Sequence, residues 1–420
     1  MTSVLPVHAS QAVPPKSALK KVLFVTYGGG HVKMVVPVVQ ALEKSGLAHG
    51  VVLALTTAAP VVAEAGLEML QFKDFVTADD APALLQGKKL MADLQGSVAD
   101  EAETAAYLGL CYADLIAEKG LAGARAAYQT MGRQAFLPVA TLERILKQCA
   151  PDLVVVTNSP RAERAAALAA RRLQIPVVCI VDLFALDEVK WIGAPDYADQ
   201  VCVLNESVRQ FLMRAGRHAS QITVTGNPGF DALFDPHVAD QVAAVRQRMK
   251  AQGRRVILWP SVIEPDVHPF NGRPGNPALP LTVLKALIAW TLDRDDCVLC
   301  IRPRPGETLH ASLELPDDER LVVTDQEWSL ASLLHATDLV VTINSTVGLE
   351  GRLVGARVIQ VSGSVLDDAL PLQSYGLADE TVSLAGLEAA LNRQLGQIRH
   401  GLLEQPLATT KVLDVLRAYL

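Results

Sequence analysis

Aromatic residues make up only 5% of the 420-residue chain and are scattered along it, so no platform for stacking nucleic-acid bases is offered. Positive charge is also short. Lys and Arg number 38 against 45 Asp and Glu, and the formal charge of −7 is the opposite of a nucleic-acid footprint. No run of about 18 consecutive apolar residues occurs, so no segment is read as spanning a membrane. The opening MTSVLPVHASQAVPPKSALKK lacks a continuous apolar segment, so residues 1–19 are expected to form a flexible leader rather than a signal peptide. Cysteine is sparse. Cys111, Cys149, Cys179, Cys202, Cys297 and Cys300 form no dense framework, which suits a reducing cytoplasm. Cys297 and Cys300 lie in the strand-like run CVLCI, where their spacing turns the thiols to opposite faces, so no metal site is expected.

What is present is an apolar content of 50% in a chain longer than one hydrophobic core usually serves, which points to two domains. From Lys20 a strand, loop and helix rhythm begins: KKVLFVTY, then GGG, then HVKMVVPVVQALEKS closed by Gly46. GVVLALTT reads as a second strand and EMLQFKDF as a third. Residues from about 79 to 150, rich in Ala, Leu and Glu, read as a helical insertion. PDLVVVT resumes the strands, with Ser159 placed to cap and Pro160 to open the helix RAERAAALAARRL. IPVVCIVDLF and QVCVLN close this half. Around ITVTGNPGFDALFDP the rhythm breaks into Gly, Asn and Pro, so residues 20–235 and 236–420 are expected as two units. The second repeats the pattern through RVILWP, CVLCIRP, LVVTD, LVVTINS and RVIQVSG, and ends in the amphipathic KVLDVLRAYL. Such alternation predicts an α/β chain of two doubly wound, Rossmann-like domains facing each other across a cleft.

Ligands of these sheets bind beyond the carboxyl ends of the strands. Gly28-Gly29-Gly30-His31 follows the first strand; glycines admit a ligand to the backbone, and histidine is the commonest general base. The spacing is not the dinucleotide fingerprint GxGxxG, and a tight turn with a solvated histidine would use the same residues. The second stretch is NSTVGLEG, from Asn344. Ser345 or Thr346 can cap the next helix, and their hydroxyls with the free N–H groups suit a phosphate. Glu350 falls four residues after Thr346, one too many for a capping box, and is expected to be free for the paired hydroxyls of a ribose. Arg302 and Arg304 add guanidinium forks on the same rim. Asp367 and Asp368 could address sugar hydroxyls or form a solvated turn. Asp293-Arg294-Asp295 spells DxD but ends a helix, and is read as a polar turn.

The alternation, GGGH after the first strand, TGNP at the crossing and NSTVGLEG together resemble the GT-B glycosyltransferase superfamily, which also holds the hydrolysing UDP-N-acetylglucosamine 2-epimerases. That resemblance implies a nucleotide-sugar donor, UDP- or CMP-linked, in the second domain, a carbohydrate or glycolipid acceptor in the first, and no bound cofactor. It implies donor contacts from Ser261, Arg302, Arg304, Asn344, Ser345, Thr346, Gly348, Glu350 and Asp368. Gly28, Gly29 and Gly30 would form the acceptor-side loop, with His31 or Asp182 as the base. The proline that usually follows such a histidine by three residues is absent; Pro37 comes six later. The epimerase-type histidine-glutamate-alanine-glycine and proline-glutamate-glutamate segments are missing from the matching places. The expectation is therefore a metal-independent glycosyltransferase of bacterial surface polysaccharide or glycoconjugate synthesis, in the cytoplasm or at the inner membrane face. A sugar-nucleotide epimerase or hydrolase, and a sugar-nucleotide-binding protein without turnover, are the alternatives.

Overall fold

The computed structural model describes residues 19–92, 94, 100–268, 272–304, 307, 315–325, 327–401 and 407–420. Apart from Leu19, the leader expected at residues 1–19 lies outside them.

The first half opens with β1 (Lys20–Thr26), α1 (Gly30–Ser45), β2 (Ala48–Ala54), α2 (Ala59–Glu64) and β3 (Met69–Leu70). The expected helical insertion follows as α3 (Ala81–Ala92), α4 (Glu101–Met131) and α5 (Val139–Cys149), with α4 broken at Gly120, where φ is 69°. Next come β4 (Leu153–Thr157), α6 (Ala162–Arg172), β5 (Val177–Ile180), α7 (Val189–Ile192), β6 (Gln200–Val203), α8 (Glu206–Arg214) and β7 (Ile222–Val224). The second half runs α9 (Pro236–Arg248), β8 (Arg255–Pro260), α10 (Leu279–Leu292), β9 (Cys297–Arg302), β10 (Leu321–Val323), α11 (Leu330–Ala336) and β11 (Leu339–Thr342). It closes with α12 (Thr346–Leu353), β12 (Arg357–Val361), β13 (Glu380–Val382), α13 (Leu387–Leu395) and α14 (Ala408–Arg417).

Among the described residues the strands form two all-parallel sheets, β3-β2-β1-β4-β5-β6-β7 and β10-β9-β8-β11-β12-β13. The expected pair of doubly wound domains is what the chain forms. The Val- and Ile-rich strands are buried on both faces, as parallel sheets require. In the first sheet Val22 and Phe24 join one apolar cluster while Leu23 and Val25 join the other. Cys297 and Cys300 likewise fall in different clusters, on opposite faces of β9. In each sheet the strand order reverses at one place, between β1 and β4 and between β8 and β11. Connections leave to opposite sides there, which opens a crevice at the strand ends. The GGGH turn and Asn158 flank the first crevice, and Ser261 and Asn344 flank the second.

One local expectation is corrected, and one left open is decided. Ser159 does not cap α6: the helix begins at Ala162 with Arg161 as its cap residue, after a turn in which the Arg164 N–H bonds to the Ser159 carbonyl. The terminal helix, which the sequence assigns to the end of the second unit without choosing the surface it covers, packs on the first half. Val412, Leu413 and Leu416 enter the cluster around α1, and the Asp231 carboxylate takes the Ala408 and Thr409 N–H groups, both at 2.8 Å. Those amides at the start of α14 have no helical carbonyl to bond, and Asp231 satisfies them.

Candidate functional site

The first rim is built around a carboxylate with no access to solvent. Glu163 lies in the first turn of α6, and its Oε1 accepts the Tyr27 N–H at 2.9 Å and the Thr157 hydroxyl at 2.6 Å. Thr157 in turn meets His31 Nδ1 at 2.8 Å. Burial pushes the Glu163 carboxyl upward, against the opposing pull of the nearby His31 and hydrogen bonds from Ser159, Thr157 and the Tyr27 amide. The GGGH turn that delivers His31 is sterically defined. A Cβ on Gly28 would stand 2.0 Å from Thr57 Oγ1, and Gly29 holds φ at 68°.

Past β5 the chain carries three acids. Asp182 and Asn158 are joined reciprocally: the amide donates to Asp182 Oδ1 at 2.9 Å, and Asp182 N–H donates to Asn158 Oδ1 at 3.0 Å. Asn227, of the TGNP stretch, donates to the Asp182 carbonyl at 2.6 Å and pins this loop from below. Asp187 is exposed, whereas Glu188 is half-buried. Burial raises the Glu188 carboxyl, and the neighbouring Asp182 and Asp187 raise it further while His31 opposes them. Between these acids Ala185 holds φ at 53°, a left-handed conformation that costs a residue with a Cβ and recurs at functional loops.

On the second rim Ser345 caps α12, accepting the Val347 N–H at 3.3 Å. Gly348 lets α12 lie on β11, since a Cβ there would sit 2.6 Å from Thr342 Cγ2. Glu350 lies just past the first turn of α12 and accepts the Thr346 hydroxyl at 3.3 Å, so it is less free than its spacing suggested. Burial lifts its carboxyl to about 7, against the hydrogen bond from Thr346 and the charges of Lys33 and Arg302. Lys33 belongs to α1, so its charge reaches Glu350 from the other half. Burial also lowers the Arg302 guanidinium, opposed by Cys300 and Glu350.

Other residues expected on this rim have partners of their own. Asn344 donates to Ser364 at 3.1 Å, and Ser364 donates to the buried Glu264 at 2.6 Å, which locks the loops after β8, β11 and β12 together. Ser261 donates to Glu307 at 2.8 Å, and Glu307 also accepts the Arg304 N–H at 3.0 Å. Asp368 stands exposed and pairs with Arg273 at 3.1 Å, while Asp367 takes the Gly363 N–H at 2.7 Å. A cavity of about 210 Å³ opens beside this lock, walled by Trp259, Ser261, Glu264, Leu281 and Glu307.

The structure thus gathers His31 with the acids after β5 on one rim, and Ser345, Thr346, Glu350 and Arg302 on the other. It leaves Asp368 outside and ties Ser261 and Arg304 to Glu307. Glu163, Thr157, Glu188, Lys33 and Glu264 were not anticipated. Glu163 had a readable sign, a lone acid in the Ala-rich helix RAERAAALAA, and Glu188 another, an acid pair following Asp182 by one short loop. Among the described residues no group of three His, Cys, Asp or Glu is placed to hold a metal. Nor is any helix among them long and apolar enough to cross a membrane.

A family model described as UDP-N-acetylglucosamine 2-epimerase matches residues 116–364, a span that includes the acids after β5 and the NSTVGLEG turn. No curated protein sequence matches the chain. Among solved structures, MnaA of S. aureus, determined with UDP, is similar with TM-score 0.58 and 12% identity, over 96% of this chain and 97% of that one. The UDP-GlcNAc 2-epimerase of Neisseria meningitidis, bound to UDP-GlcNAc, gives 0.57 and 12% over 94% and 99%. The calicheamicin glycosyltransferase CalG4 gives 0.55 and 15% over 96% and 98%. At such identities the structural likeness speaks for the shared two-domain fold alone, and it is the sequence-family match that points to the epimerase family. It overturns the expectation of a glycosyltransferase, which had leaned on the missing epimerase-type segments.

Proposed function

The chain belongs to the UDP-N-acetylglucosamine 2-epimerase family, and from that premise we propose that it inverts C2 of a UDP-linked N-acetylhexosamine held between the two rims. Inverting a carbon that bears one hydrogen requires the hydrogen to leave as a proton and return to the opposite face. The C2–H bond is not acidic alone. It becomes so when the diphosphate departs from C1: the C2–H electron pair forms a C1–C2 double bond, the C1–O pair leaves on the phosphate, and the proton passes to a base. Readdition of a proton at C2 and of an oxygen, from the diphosphate or from water, at C1 closes the balance.

Each requirement finds a group. Glu188, with its carboxyl raised by burial and neighbouring acids, and His31 beside it can take and return protons from one rim. On the other, Arg302 and the positive dipole end at the start of α12 receive the departing diphosphate, with the Ser345 and Thr346 hydroxyls at their side. Glu350 accepts the ribose hydroxyls. The family match, which spans the acids after β5 and the turn into α12, carries this reading.

The test is incubation with UDP-GlcNAc in D₂O without any acceptor, followed by proton NMR. Deuterium is expected at C2, with a product of the manno configuration. Retention of the C2 proton and an unchanged sugar at stoichiometric enzyme would overturn the assignment. The Glu188→Gln variant is expected to lose about 10²- to 10⁴-fold in kcat while still binding UDP.

A further inference from the structure

We propose that Glu163 and Thr157 act as positioning residues that hold His31 in one tautomer, with the proton on Nδ1 and a bare lone pair on Nε2. The direction of the chain of hydrogen bonds is set by a backbone group that can only donate. Tyr27 N–H bonds to Glu163 Oε1 at 2.9 Å, so that oxygen accepts in the carboxylate and equally in the neutral acid whose proton sits on Oε2, the oxygen without a hydrogen-bond partner among the described residues. Thr157 Oγ1 stands 2.6 Å from the same oxygen and has a single hydrogen to give, so the hydroxyl donates there. Its lone pairs then face His31 Nδ1 at 2.8 Å and can only accept. The imidazole N–H must therefore lie on Nδ1. No protein group among the described residues bonds to Nε2, which is left to exchange protons with a ligand.

Glu163 is fully buried, so water does not compete for Oε1. The groups facing the carboxylate are Tyr27 just after β1, His31 from α1, Thr157 at the end of β4 and Ser159 beyond it, while Cys179 on β5 and Tyr197 before β6 also feel its charge. On the His31 side the remaining acids are Glu188 and Asp182. An imidazolium formed at Nε2 keeps its Nδ1–H bond to Thr157, so protonation disturbs nothing in the chain. In hydrolase triads a histidine in the wrong tautomer costs about 10⁴ in rate, which is why such a relay matters.

The inference rests on the epimerase reading only for the use made of His31, and its test does not need turnover. Nitrogen NMR of the ¹⁵N-histidine-labelled full chain, with the His31 signals identified by their loss in His31→Gln, is expected to show Nδ1 protonated and Nε2 bare when His31 is neutral. A wild-type spectrum with the proton on Nε2 would overturn the proposal, and that measurement depends on no relay variant folding. Thr157→Val should release the ring to mixed tautomers and lower kcat on UDP-GlcNAc by at least about tenfold with KM held. Thr157→Ser should recover both, and Glu163→Gln, whose carbonyl oxygen still accepts, should keep the tautomer. An unchanged tautomer in Thr157→Val sinks the relay even if the enzyme proves to be an epimerase; a correct tautomer without C2 exchange sinks the epimerase reading alone.

Discussion

Glu350 shows how one side chain couples the cleft to pH. Its carboxyl titrates at about 7, where an ordinary glutamate titrates near 4.5. The fold therefore favours the neutral form. Relative to an uncharged side chain, nothing is lost below pH 4.5, and the cost grows as pH rises through 7. Glu350→Gln is expected to match the parent in thermal unfolding at pH 4.5 and to exceed it at pH 8 by about 2 kcal/mol, after allowance for partial exposure. In the proposed complex the ribose hydroxyls would donate to the ionised carboxylate. Stabilisation of the parent by UDP should accordingly grow from pH 5.5 to 8, while the variant's stays flat. A parent more stable than the variant at pH 8 would contradict this burial cost. The same carboxylate was readable in NSTVGLEG as a residue without a capping-box duty, but its Thr346 hydrogen bond and the approach of Lys33 were not.

At the scale of the element, α12 shows how a glycine sets a site. The helix rests on β11 through Gly348 and Gly351, where an added Cβ would meet Thr342 Cγ2 and Val340 Cγ2, each at 2.6 Å. Those contacts hold the start of α12, with Ser345, Thr346 and their N–H groups, against the strand end. Gly348→Ala must push the helix outward. The expected cost is about 1–3 kcal/mol in urea unfolding together with weaker UDP binding. Unchanged binding, measured calorimetrically, would remove this helix start from the diphosphate site. The element's position was legible because a β-branched run met a small polar cluster. Ser159 before α6 offered a similar polar start and misled: its hydroxyl serves buried Glu163, and the helix starts three residues later.

Over the whole molecule, the two halves are held together in four ways. Phe184, after β5, stacks on Tyr375 of the second half with ring centroids 4.1 Å apart. Asn205 donates to the Tyr375 carbonyl at 3.2 Å, beside a cavity of about 230 Å³ that reaches Phe230 and Arg352. The apolar cluster on one face of the first sheet continues into the second through Val256, Val298 and Val340. Finally, α14 returns to cover α1, with Leu416 fully buried. Leu416→Ala is expected to cost about 2–5 kcal/mol. By hydrogen exchange the loss should appear in β1, β2 and α1 and spare β8 and β11. Protection lost equally in both sheets would show instead that the halves unfold as one unit.

Sequence alone determined the two parallel sheets, the helical insertion and both strand-end turns. Each follows from periodicity, glycine and β-branched runs, which act within a few residues of chain. Tertiary structure decided which groups meet. Glu163 approaches the Tyr27 amide across 136 residues and His31 reaches Thr157 across 126, distances in sequence over which no local pattern carries information. The side on which α14 packs was undecided for the same reason: an amphipathic helix specifies that one face must be buried, and the surface that buries it belongs to another part of the fold.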